Sequence, residues 1–163
     1  MIIRPAETRD APALAGLWNA LIRDTLATFT TDEKLYADLE VLISQRSQTC
    51  WVAEDNKGAF AGFVTYGPFR SGPGYAATIE HTIMLDRRAQ GQGVVLALMD
   101  TAQAAAHAQG CHIMVAGISS ANPAAVRFHT ALGFQQTGHL RQVGRKNDQW
   151  LDLILMQKTL SSP

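Results

Sequence analysis

Apolar residues recur along this chain with two periods, and the switches between them mark out the elements. Ile2-Ile3-Arg4 is a short extended run closed by Pro5 and predicts a first strand. Thr8 or Asp10 can cap a helix. From Ala11 to Ile22 an apolar stripe runs through Leu14, Leu17, Trp18 and Leu21. A second cap at Thr30 to Asp32 predicts an amphipathic helix to about Ile43, with Leu35, Leu39 and Leu42 on one face. Cys50 to Glu54 and Phe60 to Tyr66 read as strands joined by the hairpin turn Asp55-Asn56-Lys57-Gly58. Gly67-Pro68 and Ser71-Gly72-Pro73-Gly74 predict an irregular, exposed loop, and Tyr75 to Leu85 a long strand. Gly91-Gln92-Gly93 opens a helix to about Gln109, with Val94, Leu98 and Ala105 inward and Gly110 as the stop. Cys111 to Ile118 reads as a central strand. Asn122-Pro123 starts another helix and Gly133 ends it. Phe134 to Arg141 and Trp150 to Gln157 form a last pair of strands.

The order βααβββαβαββ predicts a mixed sheet with helices against it, an α/β or α+β fold. A length of 163 residues suits one domain over 1–163, with fraying expected at 159–163. Hydrophobic residues at 47% supply a core and exclude a disordered chain. The formal net charge is zero, which argues against a generic nucleic-acid binder. Cys50 and Cys111 make neither a disulfide framework nor a zinc site. The first residues hold no apolar leader, and no run reaches the ~18 apolar residues of a membrane span. The expectation is a cytoplasmic protein with reduced cysteines, no membrane contact and no metal.

Three segments carry candidate chemistry. Arg88-Ala89-Gln90-Gly91-Gln92-Gly93 lies between a strand and a helix. Glycines there let the backbone approach a ligand, and the N–H groups of a helix start attract an anion. An ordinary strand-to-helix loop is the plain alternative. A P-loop is excluded because Val94 follows Gly93. A dinucleotide fold is excluded because no Asp or Glu occurs from Thr101 to Asn147. The second segment is Thr78 to Leu85, where alternation puts Ile79, His81, Ile83 and Leu85 on one face and Thr78, Glu80, Thr82 and Met84 on the other. A partly buried Glu80 would gain a pKa suited to a general base; a solvated strand carboxylate is the alternative. His81 reads as a packed or hydrogen-bonded structural residue. The third is Asn122 to Phe134, in which Asn122 is a helix cap or a ligand contact and His129 a core histidine or an acid.

Taken together and in this order, these segments resemble the GCN5-related N-acetyltransferases. Arg88, Gly91 and Gly93 fit that family's Arg/Gln-x-x-Gly-x-Gly/Ala loop, and Asn122-x-x-Ala125 with Gly133-Phe134 fits its following helix. The stretches Ile2–Ala6, Gly67–Arg70, Thr78–Thr82, Val126–Phe134 and Gly138–Arg141 look most like the phosphinothricin acetyltransferase and amino-acid N-acyltransferase group. The resemblance implies a mostly antiparallel sheet of about six or seven strands with about four helices, and acetyl-CoA as acetyl donor. It implies that Ile83, Met84 and Leu85 bind the pantetheine arm, and that the amides of Ala89, Gln90, Gly91, Gln92, Gly93 and Val94, beside Arg88, hold the pyrophosphate. Asn122 would contact the cofactor arm. Glu80 matches the general base, His129 the acid, and Arg70 and Tyr75 the acceptor site. Ala89 departs from the Gly or Arg common there, which removes a side-chain phosphate contact.

The implied acceptor is the primary amine of a small amino acid or analogue of the phosphinothricin, methionine sulfoximine or methionine sulfone type. Alternatives are a peptide N-terminus, a polyamine or aminoglycoside, or a non-catalytic CoA-binding module. Arg70 in a loop without carboxylates favours an anionic or zwitterionic acceptor. The apolar run Trp150 to Met156 allows a homodimer. The zero net charge is unevenly spread: residues 1–100 hold 12 acidic and 9 basic residues, and residues 101–163 hold 2 and 5. That segregation suits a small polyanionic cofactor.

Overall fold

A computed structural model describes residues 1–160 of the chain. Seven strands form one sheet: β1 (Ile2–Pro5), β2 (Cys50–Glu54), β3 (Phe60–Pro68), β4 (Thr78–Leu85), β5 (Ile113–Ser119), β6 (Gln135–Lys146) and β7 (Gln149–Thr159). Their order is β1-β2-β3-β4-β5-β7-β6. The four α-helices are α1 (Ala11–Asp24), α2 (Tyr36–Gln45), α3 (Val94–Ala108) and α4 (Pro123–Ala131). This is the mixed, mostly antiparallel sheet with four helices that the resemblance implies.

Two-residue alternation gives the sheet two apolar faces. Val64, Tyr66, Ile79, Met114 and Met156 pack with Leu98, Met99 and Ala102 of α3 and with Phe128 of α4. On the other face Val52, Phe63 and Met84 pack with Leu14 of α1 and Leu39 and Ile43 of α2. Burying one such side chain stabilises the fold by about 1.5–3 kcal/mol. Arg4 on β1 reaches Asp10 through two hydrogen bonds of 2.8 Å and Glu54 through bonds of 2.9 and 2.6 Å. This part-buried cluster ties the first strand to the start of α1.

Among the described residues one strand pair, β4 with β5, is parallel, and it creates the cleft. β4 and β5 are in register only over Thr78–Glu80 against Ile113–Val115. Beyond that point β4 pairs with β3 alone, up to Leu85 opposite Gly62, and β5 with β7 alone, up to Ser119 opposite Leu153. The sheet stays continuous while its centre splays apart.

Several boundaries differ from the sequence pattern. No helix starts at Thr30 to Asp32, because the Thr30 hydroxyl accepts the Asp32 N–H at 3.0 Å and bends the chain locally. Asn19 then holds both polar groups of Lys34, and Leu35 is extended before α2 begins at Tyr36. β4 starts at Thr78 rather than Tyr75, because Pro73–Tyr75 form a short 3-10 turn after Gly72 at φ +105°. β6 runs to Lys146 past an irregularity between Leu140 and Gly144, and Asn147 and Asp148, both at positive φ, close the hairpin. At the C-terminus β7 continues to Thr159, and the Leu160 N–H donates to the His112 carbonyl at 2.8 Å. Of the tail expected to fray, 161–163 lie outside the described residues.

Candidate active site

Where β4 and β5 part, the molecule holds a cavity of about 590 Å³. Residues 80–85 of β4 and 116–119 of β5 form its inner wall. Asn122 and His129 close one side, Val95 of α3 adds to the wall, and Trp18, Leu21, Ala27 and Thr28 contribute from α1 and the segment after it.

Glu80 is the one charged side chain among the lining residues. It sits on the last residue pair before the strands diverge, so the splay gives its carboxylate access to solvent and ligand. Burial by the cleft walls nevertheless raises its pKa above the ordinary Glu value. Gly117 makes room for it: a Cβ at that position would lie 3.0 Å from Glu80 Oε1.

His81 points to the opposite face of β4 and is buried. Its Nδ1 lies 3.0 Å from the Val115 carbonyl oxygen, so the side chain carries the β4–β5 link past the last paired residues. Its Nε2 lies 2.9 Å from Nε2 of His129, whose Nδ1 lies 2.7 Å from the Ala125 carbonyl oxygen. The chain Val115–His81–His129–Ala125 thus joins β5, β4 and α4 around the cleft. Each neutral imidazole carries one N–H. Filling all three contacts would take three protons, so the neutral pair is one short. Burial opposes the extra charge: desolvation, aided by the neighbouring His129, lowers His81 to about 3, and desolvation lowers His129 as well. Both nitrogens of His129 are engaged within the protein although the ring borders the cavity.

The glycine loop is built by Asp86. Its Oδ1 accepts the Arg88 N–H at 2.9 Å and caps the 3-10 turn Arg87–Ala89. The Arg88 guanidinium turns back onto the same carboxylate at 2.9 and 2.8 Å. Gln92 donates its side-chain amide to the Arg88 carbonyl at 2.9 Å. Gly91 and Gly93 adopt φ of +74° and +75°, a region costly for other residues, and α3 starts directly after them. Among the described residues the N–H groups of Gly91, Gln92, Gly93 and Val94 make no main-chain hydrogen bond of good geometry outside the turn itself. These unpaired donors at a helix N-terminus fit a phosphate group.

The sequence candidates therefore divide. Glu80, Ile83, Met84, Leu85, Asn122 and His129 share the cavity. Asn122 also accepts the Ala125 N–H at 3.2 Å as the cap of α4. Arg88, Ala89, Gln90, Gly91, Gln92, Gly93 and Val94 lie outside the lining, with Val95 as the nearest wall residue in sequence. The Ala89 side chain is buried in the core, which leaves only its main chain for a ligand. Arg70 and Tyr75 are exposed on the loop between β3 and β4 and do not line the cavity. That loop leaves β3 after Pro68, opposite Ile79, at the end of β4 that is still paired with β5. The uneven charge along the chain does not gather at the cavity, since no Arg or Lys lines it. Among the described residues no group of metal-ligating side chains comes together. Sequence reasoning missed the wall made by Trp18, Leu21, Ala27 and Thr28 and the contact of His81 with His129.

The profile of the acetyltransferase (GNAT) family matches residues 14–134. The chain is 35% identical to an L-methionine sulfoximine/L-methionine sulfone acetyltransferase of Salmonella typhimurium, with 98% of this chain and 95% of that protein covered. It is also 35% identical to the L-amino acid N-acyltransferase MnaT of Escherichia coli, over 98% of this chain and 94% of that one. A solved acetyltransferase structure from Salmonella typhimurium, determined with its cofactor acetyl-CoA, superposes with a TM-score of 0.93 at 32% identity, covering 100% of this chain and 95% of that one. With its splayed sheet, its glycine loop and these matches, the chain belongs to the acetyltransferase (GNAT) family.

Proposed function

We propose that this acetyltransferase acts on the primary amine of a small amino acid or analogue, of the methionine sulfone, methionine sulfoximine or phosphinothricin type. The observation that carries the reading is Glu80, a lone carboxylate of raised pKa at the point where β4 and β5 separate. An amine is protonated at neutral pH and must lose that proton before it attacks an acyl group. Glu80 takes the proton, directly or through a water. Acetyl-CoA supplies an activated thioester. The chain holds it with the β4 backbone of Ile83, Met84 and Leu85, the loop from Arg88 to Val94, and Asn122. A main-chain N–H near Met84 or Leu85 stabilises negative charge on the acetyl oxygen in this reading. His129 borders the cavity, but burial lowers its pKa and keeps the ring neutral, so CoA leaves as a thiolate and takes its proton from water, with no proton required from His129.

The acceptor class rests on charge. A polycation would call for several carboxylates, and the lining holds one. Arg70 and Tyr75, exposed on the loop between β3 and β4, are the residues that suit a carboxylate or polar head. The exposed Leu140 and Val143 of β6 and Trp150 of β7 support a homodimer, and the two free cysteines support a cytoplasmic setting. The test is Glu80→Gln with acetyl-CoA and methionine sulfone. General-base loss lowers kcat by about 100-fold or more, while equal activity at neutral pH overturns the assignment.

A further inference from the structure

Lys146 ends β6, on the hairpin farthest across the sheet from β1, yet its side chain is buried with 4% exposure. Its Nζ lies 2.7 Å from the Ile22 carbonyl oxygen, 2.8 Å from that of Thr25, 3.0 Å from that of Thr28 and 3.0 Å from the Thr28 hydroxyl. An ammonium has three donors, so all are used. Among the described residues no carboxylate lies within ion-pair distance of it. A buried charge without a counter-ion is costly. Here the carbonyls at the C-terminal end of α1 replace the counter-ion, because their partial negative charge is unsatisfied within the helix.

The residues so held lead straight into the cavity. Ala27 and Thr28 belong to its wall, beside Trp18 and Leu21 of α1. Two further ties fix the same segment. The Ser119 hydroxyl donates to the Leu26 carbonyl at 2.6 Å, and the Phe29 ring lies so close over Gly144 that a Cβ there would be 2.5 Å from it. None of the hydrogen bonds of Lys146 reaches β4, the glycine loop or Asn122.

We infer that Lys146 is a positioning residue that sets the acceptor-side wall of the cavity by clamping the chain from Ile22 to Thr28. Met84, on the same face of β4 as Glu80, packs in the core that α1 helps to build, so the α1 wall lies on the Glu80 side of the cavity, and the inference rests on the reading that the acceptor amine binds at Glu80. A clamp on that wall controls acceptor affinity and leaves donor affinity alone. The purely structural alternative lowers stability and leaves acceptor and donor affinity unchanged in the folded fraction.

The test is Lys146→Met, with KM measured separately for methionine sulfone and acetyl-CoA, and amide hydrogen exchange followed in the free protein. The acceptor KM rises about 10-fold or more while the acetyl-CoA KM stays within about 2-fold. Exchange at Thr25 to Phe29 quickens while that of β4 does not. Lys146→Arg, which keeps charge and donors, recovers most of the acceptor affinity. Equal rises in both KM values, an unchanged acceptor KM in a folded variant, or unchanged exchange at Thr25 to Phe29 overturns the inference. If the Met variant does not fold, Lys146→Gln keeps a donor and drops the charge. It then shows a smaller shift of the same kind, and an unchanged acceptor KM overturns the clamp. Glu80→Gln in the same assay separates the two claims. A dead Glu80 variant beside an unaffected Lys146 variant refutes the clamp alone, and a fully active Glu80 variant refutes the reading of the site.

Discussion

Lowering the pH from 7 to 5 should destabilise this protein through the buried His81–His129 pair. Burial holds the folded-state pKa of His81 at about 3, against an ordinary value of 6.5, and lowers that of His129 in the same direction. In this window the unfolded chain binds protons at these rings and the folded chain does not. Stability therefore rises with pH across the window and falls as pH drops below about 6.5. Each unit of pH costs about 1.36 kcal/mol per fully resisting ring, so His81 alone removes about 2 kcal/mol between pH 6.5 and 5. His129 adds to this. Glu80 opposes it, since a carboxyl of raised pKa binds its proton first in the folded state and adds stability as pH falls through that value. Asp10, Asp86 and Asp152 have lowered pKa values, so their contribution is lost only below about pH 4. The upper window thus belongs to the histidines. Urea unfolding of the Glu80→Gln background at pH 7, 6 and 5 reads the effect directly. His81→Asn, which keeps a donor near the Val115 carbonyl, should cost about 1–3 kcal/mol at pH 7 by leaving His129 Nε2 unpaired, and should flatten the slope. A parent equally stable at pH 5 and 7, or a variant with the parental slope, refutes the argument.

Two further expectations concern the loop and the core. Gly93→Ala forces a Cβ into a left-handed residue and should cost about 1–2 kcal/mol while raising the acetyl-CoA KM. Arg88→Ala should change that KM by less than about 3-fold, because its guanidinium is held by Asp86 and the loop's amides are the free donors. Steady-state kinetics and thermal melting of the two variants check this, and a larger effect from Arg88 than from Gly93 contradicts it. Phe63→Ala, at a fully buried ring packed 5.4 Å from that of Trp18, should lower unfolding free energy by about 3–5 kcal/mol, as read by urea denaturation.

The strands and helices were legible because their apolar residues keep period 2 or 3.6, and the order of elements in the structure is the one that pattern predicts. The start of α2 was not, because Thr30 and Asp32 look like a cap in sequence, and only the structure shows the hydroxyl making a local turn. The start of β4 was hidden because Gly72-Pro73-Gly74 stores a short turn that side-chain alternation does not record. At the site, alternation put Glu80 and His81 on opposite faces of β4, as observed. The resemblance picked out Glu80, Asn122 and His129, which share one cavity. Contacts across long sequence gaps had no signature. His81 meets His129 across 48 residues, and Lys146 meets Ile22 across 124. Nothing in local period or composition distinguishes those two side chains from a core histidine and a surface lysine.

Product analysis after incubation with labelled acetyl-CoA and a mixture of methionine sulfone, phosphinothricin, spermidine and a peptide with a free N-terminus tests the central claim most directly. Label is expected on the amine of the small amino acids, with one CoA thiol released per product, and that label is lost in Glu80→Gln. Label on spermidine or the peptide in preference, or undiminished label in the Glu80 variant, would contradict it.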